Sequence, residues 1–189
     1  MPQPPLNLAV IVGSTREGRF GGIVGQWFVG HAARRADMEL DVIDLADLDL
    51  PAVLPRGRDG DLDTYLKRID VADAYVVITP EYNHGYPASL KQAIDLPHDE
   101  WKAKPVGFVS YGGMAGGLRA VEQLRQVFAE LHVATMRDTV SFHQFFELFD
   151  ESGQPKDPSG PAEAATVMLD QLAWWGQALR VGRAARPPA

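Results

Sequence analysis

A chain of 189 residues is long enough to bury a full core and short enough to form one domain. Its formal net charge of −7 lacks the basic footprint that sequence-independent nucleic-acid binding requires, so nucleic acid is not expected among its partners. The absence of cysteine excludes disulfides, thiolate metal sites and cysteine nucleophiles, and it suits a cytoplasmic location.

Residues 1–5 have neither the charged start nor the apolar stretch of a signal peptide. No apolar run approaches the roughly 20 residues of a membrane span, so no membrane association is expected. Leu6 to Val12 reads as a first strand, apolar almost throughout, as a parallel strand covered on both faces should be. The loop Gly13 to Gly21 follows, then a helix with Ile23, Val24, Trp27 and Phe28 on one stripe. Leu40 to Leu45 is a second strand, more polar and therefore nearer an edge. Asp47 to Gly60, with Pro51, Pro55 and Gly57, is a long connection to a helix marked by Leu62, Leu66 and Ile69.

The third strand, Ala74 to Thr79, runs into a loop bounded by Pro80 and Pro87. Pro87 suits the first turn of a helix over Ala88 to Asp95, because its missing N–H costs nothing there. Pro105 to Tyr111 is a fourth strand ending in Gly112 to Gly117. The next helix carries Leu118, Val121, Leu124, Phe128 and Leu131, and a fifth strand is expected from Ala134 to Ser141. Phe142 to Pro161 reads as irregular, and a final helix is expected to bury Met168, Leu169, Leu172, Trp175 and Leu179. The adjacent Trp174 and Trp175 cannot share one helical face, so one of them lies at the rim. The whole chain, 1–189, is expected to be one domain with frayed tails at 1–5 and 183–189.

Five alternations of strand and helix predict a parallel sheet with helices on both faces. Right-handed crossovers and five strands point to a flavodoxin-like three-layer α/β sandwich of order 2-1-3-4-5, with a switch point between the first and third strands. A six-stranded dinucleotide fold is the second choice.

The loop after the first strand holds Ser14, Thr15, Arg16 and Arg19 where a helix begins. Helix N-terminal amides bind anions, and arginine adds a planar fork that fits phosphate oxygens. No Gly-Lys-Ser/Thr follows and no acidic magnesium motif is evident, so a phosphate monoester is expected rather than a triphosphate. The third-strand loop offers flat surface from Pro80, Tyr82 and Tyr86, with polar groups from Asn83 and Glu81, and it suits a ring system with a polar edge. Gly112 and Gly113 after the fourth strand permit close backbone approach. The histidines, His31, His84, His98, His132 and His143, show no metal-ligand spacing, and no metal is expected. Glu147, Asp150 and Glu151 read as a solvated turn.

Taken together, Gly13-Ser14-Thr15-Arg16-Glu17-Gly18-Arg19, Pro80-Glu81-Tyr82-Asn83-His84-Gly85-Tyr86-Pro87 with its helix to Asp95, and Ser110-Tyr111-Gly112-Gly113 resemble the NADPH-dependent FMN reductase family, which includes quinone, azo-dye and chromate reductases. The resemblance spans about Leu6 to Val140. It implies a flavodoxin-like fold, FMN as cofactor and NADPH as hydride donor. It also implies that Ser14, Thr15, Arg16, Arg19 and Phe20 bind the FMN phosphate and ribityl chain. Pro80, Glu81, Tyr82 and Asn83 would wrap the isoalloxazine with backbone amides near N5 and O4, and Ser110, Tyr111, Gly112 and Gly113 would line the pyrimidine side. The family commonly forms dimers through the helix after the middle motif, so a homodimer, or a tetramer, is implied.

The implied reaction is hydride transfer from NADPH to flavin and on to a small-molecule acceptor: a quinone, azo compound, metal oxyanion or flavin. The cofactor carries this chemistry, so no dedicated catalytic side chain is required. His84, Tyr82 and Tyr86 suit shaping or subunit contact better than proton donation. The alternative is an FMN electron carrier that does not use NADPH, whose acidic surface would dock a basic partner. A third is a nucleotide-binding module without flavin.

Overall fold

Strands of nearly unbroken apolar sequence form the centre of the molecule. The computed structural model describes residues 4–58, 60–186 and 188. In chain order these form β1 (Leu6–Val12), α1 (Gly21–Ala32), β2 (Met38–Asp44), α2 (Gly60–Val71), β3 (Ala74–Pro80), α3 (Ala88–Asp95), β4 (Pro105–Gly112), α4 (Leu118–Glu130), β5 (Ala134–Thr135), β6 (Val140–His143), α5 (Phe145–Leu148) and α6 (Ser159–Ala185). Every residue of β3 and β4 is buried, whereas β2 is mixed, as its polar sequence requires of an edge. The sheet is parallel, in the order β2-β1-β3-β4-β5. This is the expected flavodoxin-like arrangement.

Alternate residues of each strand serve opposite cores. Val10, Val76 and Val109 pack with Val24 and Phe28 of α1 and Met168 and Leu172 of α6. Ile11, Val77 and Phe108 pack with Ile69 of α2, Leu90 of α3 and Leu124 and Phe128 of α4. Gly107 lets α6 lie close on β4, since a Cβ there would meet Met168 Sδ at 2.8 Å.

Four expectations need correction. The fifth strand is broken in two: β5 pairs with the start of β4 and β6 with its end. The chain leaves the ladder after Met136, and Arg125 of α4 donates to the carbonyls of Met136 (2.6 Å) and Arg137 (3.0 Å) there. A side chain thus replaces the missing ladder bonds. The segment expected to be irregular includes the end of β6, α5 and the first residues of α6. In α6, Trp175 is exposed and Leu179 half-buried. The buried position is Gly176, where a Cβ would lie 2.7 Å from Leu6 Cδ1.

The helix also continues through the stretch expected to fray. Arg183 donates to Asp73 Oδ1 (3.0 Å) and to the Ala103 carbonyl (2.7 Å), and Arg180 holds the carbonyls of Pro4 and Pro5. The rest of the expected tails, 1–3, 187 and 189, lies outside the described residues. Among the described residues no helix is long and apolar enough to cross a membrane.

Lys104 enters β4 with its ammonium buried, donating to the carbonyls of Ile69 (3.0 Å) and Asp70 (2.7 Å). Burial, aided by the nearby Arg183 charge, pushes its pKa down to about 8. An unfolded lysine keeps its proton to about pH 10.4, so between these values the unfolded state binds more protons and stability rises with pH. We expect the urea midpoint to increase from pH 7.5 to pH 9.5, on the order of 2 kcal/mol in unfolding free energy. Lys104→Met should abolish most of that rise; an equal rise in the variant would contradict the assignment.

Candidate cofactor site

Because β1 lies between β2 and β3, the chain leaves β1 and β2 in opposite directions across the sheet, which opens a crevice at the carboxyl edge. The loops after β1, β3 and β4 lie side by side at that edge. Each pair of these loops is directly linked.

The first loop begins with the Gly13 amide donating to the Ile78 carbonyl at 2.9 Å, and the Ser89 hydroxyl donates to the Gly13 carbonyl at 3.2 Å. Ser14 is fully buried and its Oγ lies 3.1 Å from the Tyr111 hydroxyl. This bond joins the first loop to the fourth-strand loop. Gly21 opens α1 against it, since a Cβ there would lie 2.2 Å from Ser14 Oγ and 3.0 Å from the Tyr111 oxygen. No side chain caps α1 and no acidic residue occupies its first turn. Its N-terminal amides and dipole are therefore available to an anion.

Arg19 stands beside this helix end. Its Nη2 pairs with Asp44 Oδ2 at 2.5 Å, and Asp44 also accepts from the Ala46 amide. Among the described residues, Arg19 Nη1 is the one buried side-chain nitrogen or oxygen found without a hydrogen-bond partner. A buried donor left unpaired is unfavourable by about 1–3 kcal/mol, so this nitrogen calls for an acceptor. A phosphate monoester supplies one, and the donor set fits the phosphate of FMN. Arg16 lies elsewhere, with its guanidinium 4.2 Å from the centre of the Tyr82 ring. It thereby links the first loop to the third-strand loop. Thr15 is exposed at the mouth, beside a concavity of about 260 Å³ shared with Leu45, Leu50 and Gln92. Phe20 is half-buried and packs on Phe145, Phe149 and Tyr111 at ring separations of 4.7, 5.1 and 6.2 Å.

In the third-strand loop Pro80 is buried at the end of β3. Tyr82 and Gly85 exchange two backbone bonds of 2.8 and 3.0 Å around Asn83 and His84, whose φ angles of 50° and 68° are left-handed. Two such residues make a mirror-image tight turn, and asparagine is among the side chains that tolerate it best. Gln123 of α4 anchors the turn by donating to the His84 carbonyl at 2.8 Å.

Glu81 is tied down through both its main chain and its side chain. Its amide donates to the Tyr111 carbonyl at 3.1 Å, and its carboxylate binds Arg119 at the start of α4, at 2.7 Å to Nη1 and 3.3 Å to the amide. Glu81 thus caps α4 and ties the third loop to the fourth. The turn's bonds use the amides of Glu81, Tyr82 and Gly85 but not those of Asn83 and His84. Among the described residues, the Asn83 and His84 amides are therefore free of backbone bonds.

The fourth-strand loop is held from behind. Ser110 and Ser141 both donate to the Gly116 carbonyl, at 2.8 and 2.9 Å, so the buried Ser110 hydroxyl supports the loop and does not face the crevice. Gly112 is forced by the close approach of the Gly117 amide, 2.9 Å from an added Cβ, whereas Gly113 faces open space. Tyr111 is buried, and burial pushes its pKa up to about 12 despite the bond to Ser14, so its hydroxyl stays protonated at neutral pH.

Asp44, Arg119, Gln123, Ser141 and Phe145 support the site without belonging to any recognisable motif. Only Asp44, the last residue of an edge strand beside the switch point, carried a positional signal. A larger concavity of about 440 Å³ lies against Asp49, Pro51 and Asp61, but its carboxylates suit no anion and it touches none of the three loops. Among the described residues no three histidines or carboxylates are placed to hold a metal.

Comparison with known proteins agrees with this geometry. The family model for NADPH-dependent FMN reductase matches residues 6–147. The chain is 36% identical over 139 residues to an NAD(P)H-dependent FMN reductase of Schizosaccharomyces pombe, a match covering 68% of this chain and 69% of that one. It is 30% identical over 138 residues to a quinone reductase of Escherichia coli K12, covering 69% and 73%. A flavoenzyme NAD(P)H:(acceptor) oxidoreductase of Paracoccus denitrificans shares the fold, with a TM-score of 0.68 at 24% identity over 91% of this chain and 97% of that one. The family model covers more than half of the chain and the fold is shared, so the chain belongs to the NADPH-dependent FMN reductase family.

Proposed function

We propose that this protein is an NAD(P)H-dependent flavin oxidoreductase that holds FMN across the three loops and reduces a small-molecule acceptor such as a quinone, azo compound, metal oxyanion or free flavin. The buried, unpartnered Arg19 Nη1 beside the uncapped start of α1 is the observation that carries the binding mode. FMN held there would supply the redox chemistry between a nicotinamide donor and the acceptor.

The chain's own groups bind and orient. Ser14, Arg19 and the first amides of α1 take the phosphate. Arg16 stacked on Tyr82 presents a cation and an aromatic face between the phosphate end and the ring end. The amides of Asn83 and His84, fixed in a tight turn, serve the polar edge of the ring; preorganised donors of this kind stabilise charge that develops there. Gly113 leaves room for close approach, and the cluster of Phe20, Phe145 and Phe149 backs the first loop and excludes water from behind it. Tyr111, protonated at neutral pH, holds Ser14 in place.

A homodimer belongs to the same proposal. The outer side of α3, with Ala88, Lys91 and Leu96, borders an apolar concavity of about 400 Å³ completed by Leu54, which is 71% exposed. That surface suits a second subunit beside the third-strand loop, and a cytoplasmic location fits a cysteine-free redox protein.

The purified protein should be yellow or take up FMN when it is added, and anaerobic NADPH should bleach the flavin absorbance. A colourless protein that binds no FMN contradicts the proposal, and a flavin band that NADPH leaves unchanged restores the electron-carrier alternative. Gly21→Ala should weaken FMN binding at least tenfold, about 1.4 kcal/mol, because the added methyl displaces Ser14. Fluorescence titration checks this, and an unaltered dissociation constant would remove Ser14 and the start of α1 from the phosphate site.

A further inference from the structure

The helix α6 is 27 residues long and buries Ala165, Met168, Leu169, Leu172 and Gly176 against the sheet. On its opposite side Val167, Trp174 and Val181 are 43, 66 and 57% exposed. Their spacing is seven residues twice over. Seven residues fall about 20° short of two full turns, so the three side chains form one straight outward stripe. Ala178 and Ala185, both exposed, fill the same face between larger residues. An isolated exposed valine needs no explanation, but three large apolar residues in heptad register on a face turned away from the core do.

The stripe is symmetric about Trp174, with Val167 seven residues before it and Val181 seven after. Its flanks carry opposite charge at the two ends. Glu163 is exposed near the start of α6 and Arg186 just past its end, and neither makes an ion pair among the described residues. Two copies laid antiparallel with Trp174 on the two-fold axis would oppose Val167 to Val181 twice and bring Glu163 of each copy beside Arg186 of the other. A self-complementary patch of this kind is what an isologous contact requires. A parallel pairing would instead place like charges together at both ends.

We propose that the outer face of α6 is an interface through which two copies of this chain pair antiparallel about Trp174. The stripe spans about 21 Å, and a helix pair of that length buries roughly 1,000 Å² in total, the lower limit for a specific contact. The association is therefore weak alone. It lies apart from α3, so it joins whatever assembly that face forms and doubles it.

Sedimentation of the flavin-loaded full chain across about 1 to 100 µM tests the idea. Wild type should rise to twice the mass of Trp174→Glu, while the variant reduces flavin at the wild-type rate. Glu163→Arg should weaken the association, and the double exchange Glu163→Arg with Arg186→Glu should restore it. Because the chain has no cysteine, a short bis-maleimide should join the Val167→Cys, Val181→Cys double variant into dimers and neither single variant. Equal masses for wild type and Trp174→Glu would overturn the proposal. So would cross-linking of either single variant, which marks parallel pairing, or Trp174-dependent sedimentation with anionic vesicles in place of self-association.

Discussion

The proposed site turns on one half-buried arginine with a single buried, unpartnered nitrogen. Arg19 has one nitrogen on Asp44 and another with no acceptor, at the end of a helix whose amides no side chain caps. A buried donor without an acceptor works against the folded state by about 1–3 kcal/mol, and a phosphate oxygen there would remove that penalty. Asp44 holds one nitrogen of the fork and leaves Nη1 without an acceptor.

The remaining architecture keeps this point in register with the ring end. The parallel order places β1, β3 and β4 side by side, and the links Ser14–Tyr111, Arg16–Tyr82 and Glu81–Tyr111 join their loops pairwise. Glu81 and Gln123 extend the frame to α4, so the Asn83-His84 turn is held from both sides. Hydride transfer makes few demands on side-chain acids but strict ones on position. A frame of short cross-links between strand ends meets that demand better than a mobile loop would.

Much of this was legible in the residues. Continuous apolar runs identified the central strands, because parallel strands covered on both faces lose the alternation of one-sided sheets. The anion loop was visible because serine, arginine and glycine stood where a buried strand meets a helix. The broken fifth strand was not legible, since the carbonyls freed there are satisfied by Arg125, eleven residues away from Met136 and on another element. The Glu81–Arg119 pair is illegible for a similar reason, since only the packing of α4 shows what the Glu81 carboxylate serves. Trp175 was assigned to the core by hydrophobicity, yet Leu6 leaves room only for glycine at the neighbouring turn position. In each case the deciding partner was distant in sequence.

The central claim is that Arg19 holds a cofactor phosphate, and a comparison of FMN with riboflavin tests it most directly. The two ligands share the ring system and ribityl chain and differ in the phosphate alone. Wild type should bind FMN at least a hundredfold more tightly than riboflavin, and Arg19→Met should lose most of that ratio while its riboflavin affinity stays within a few fold. A variant that keeps the full preference for FMN would contradict the account.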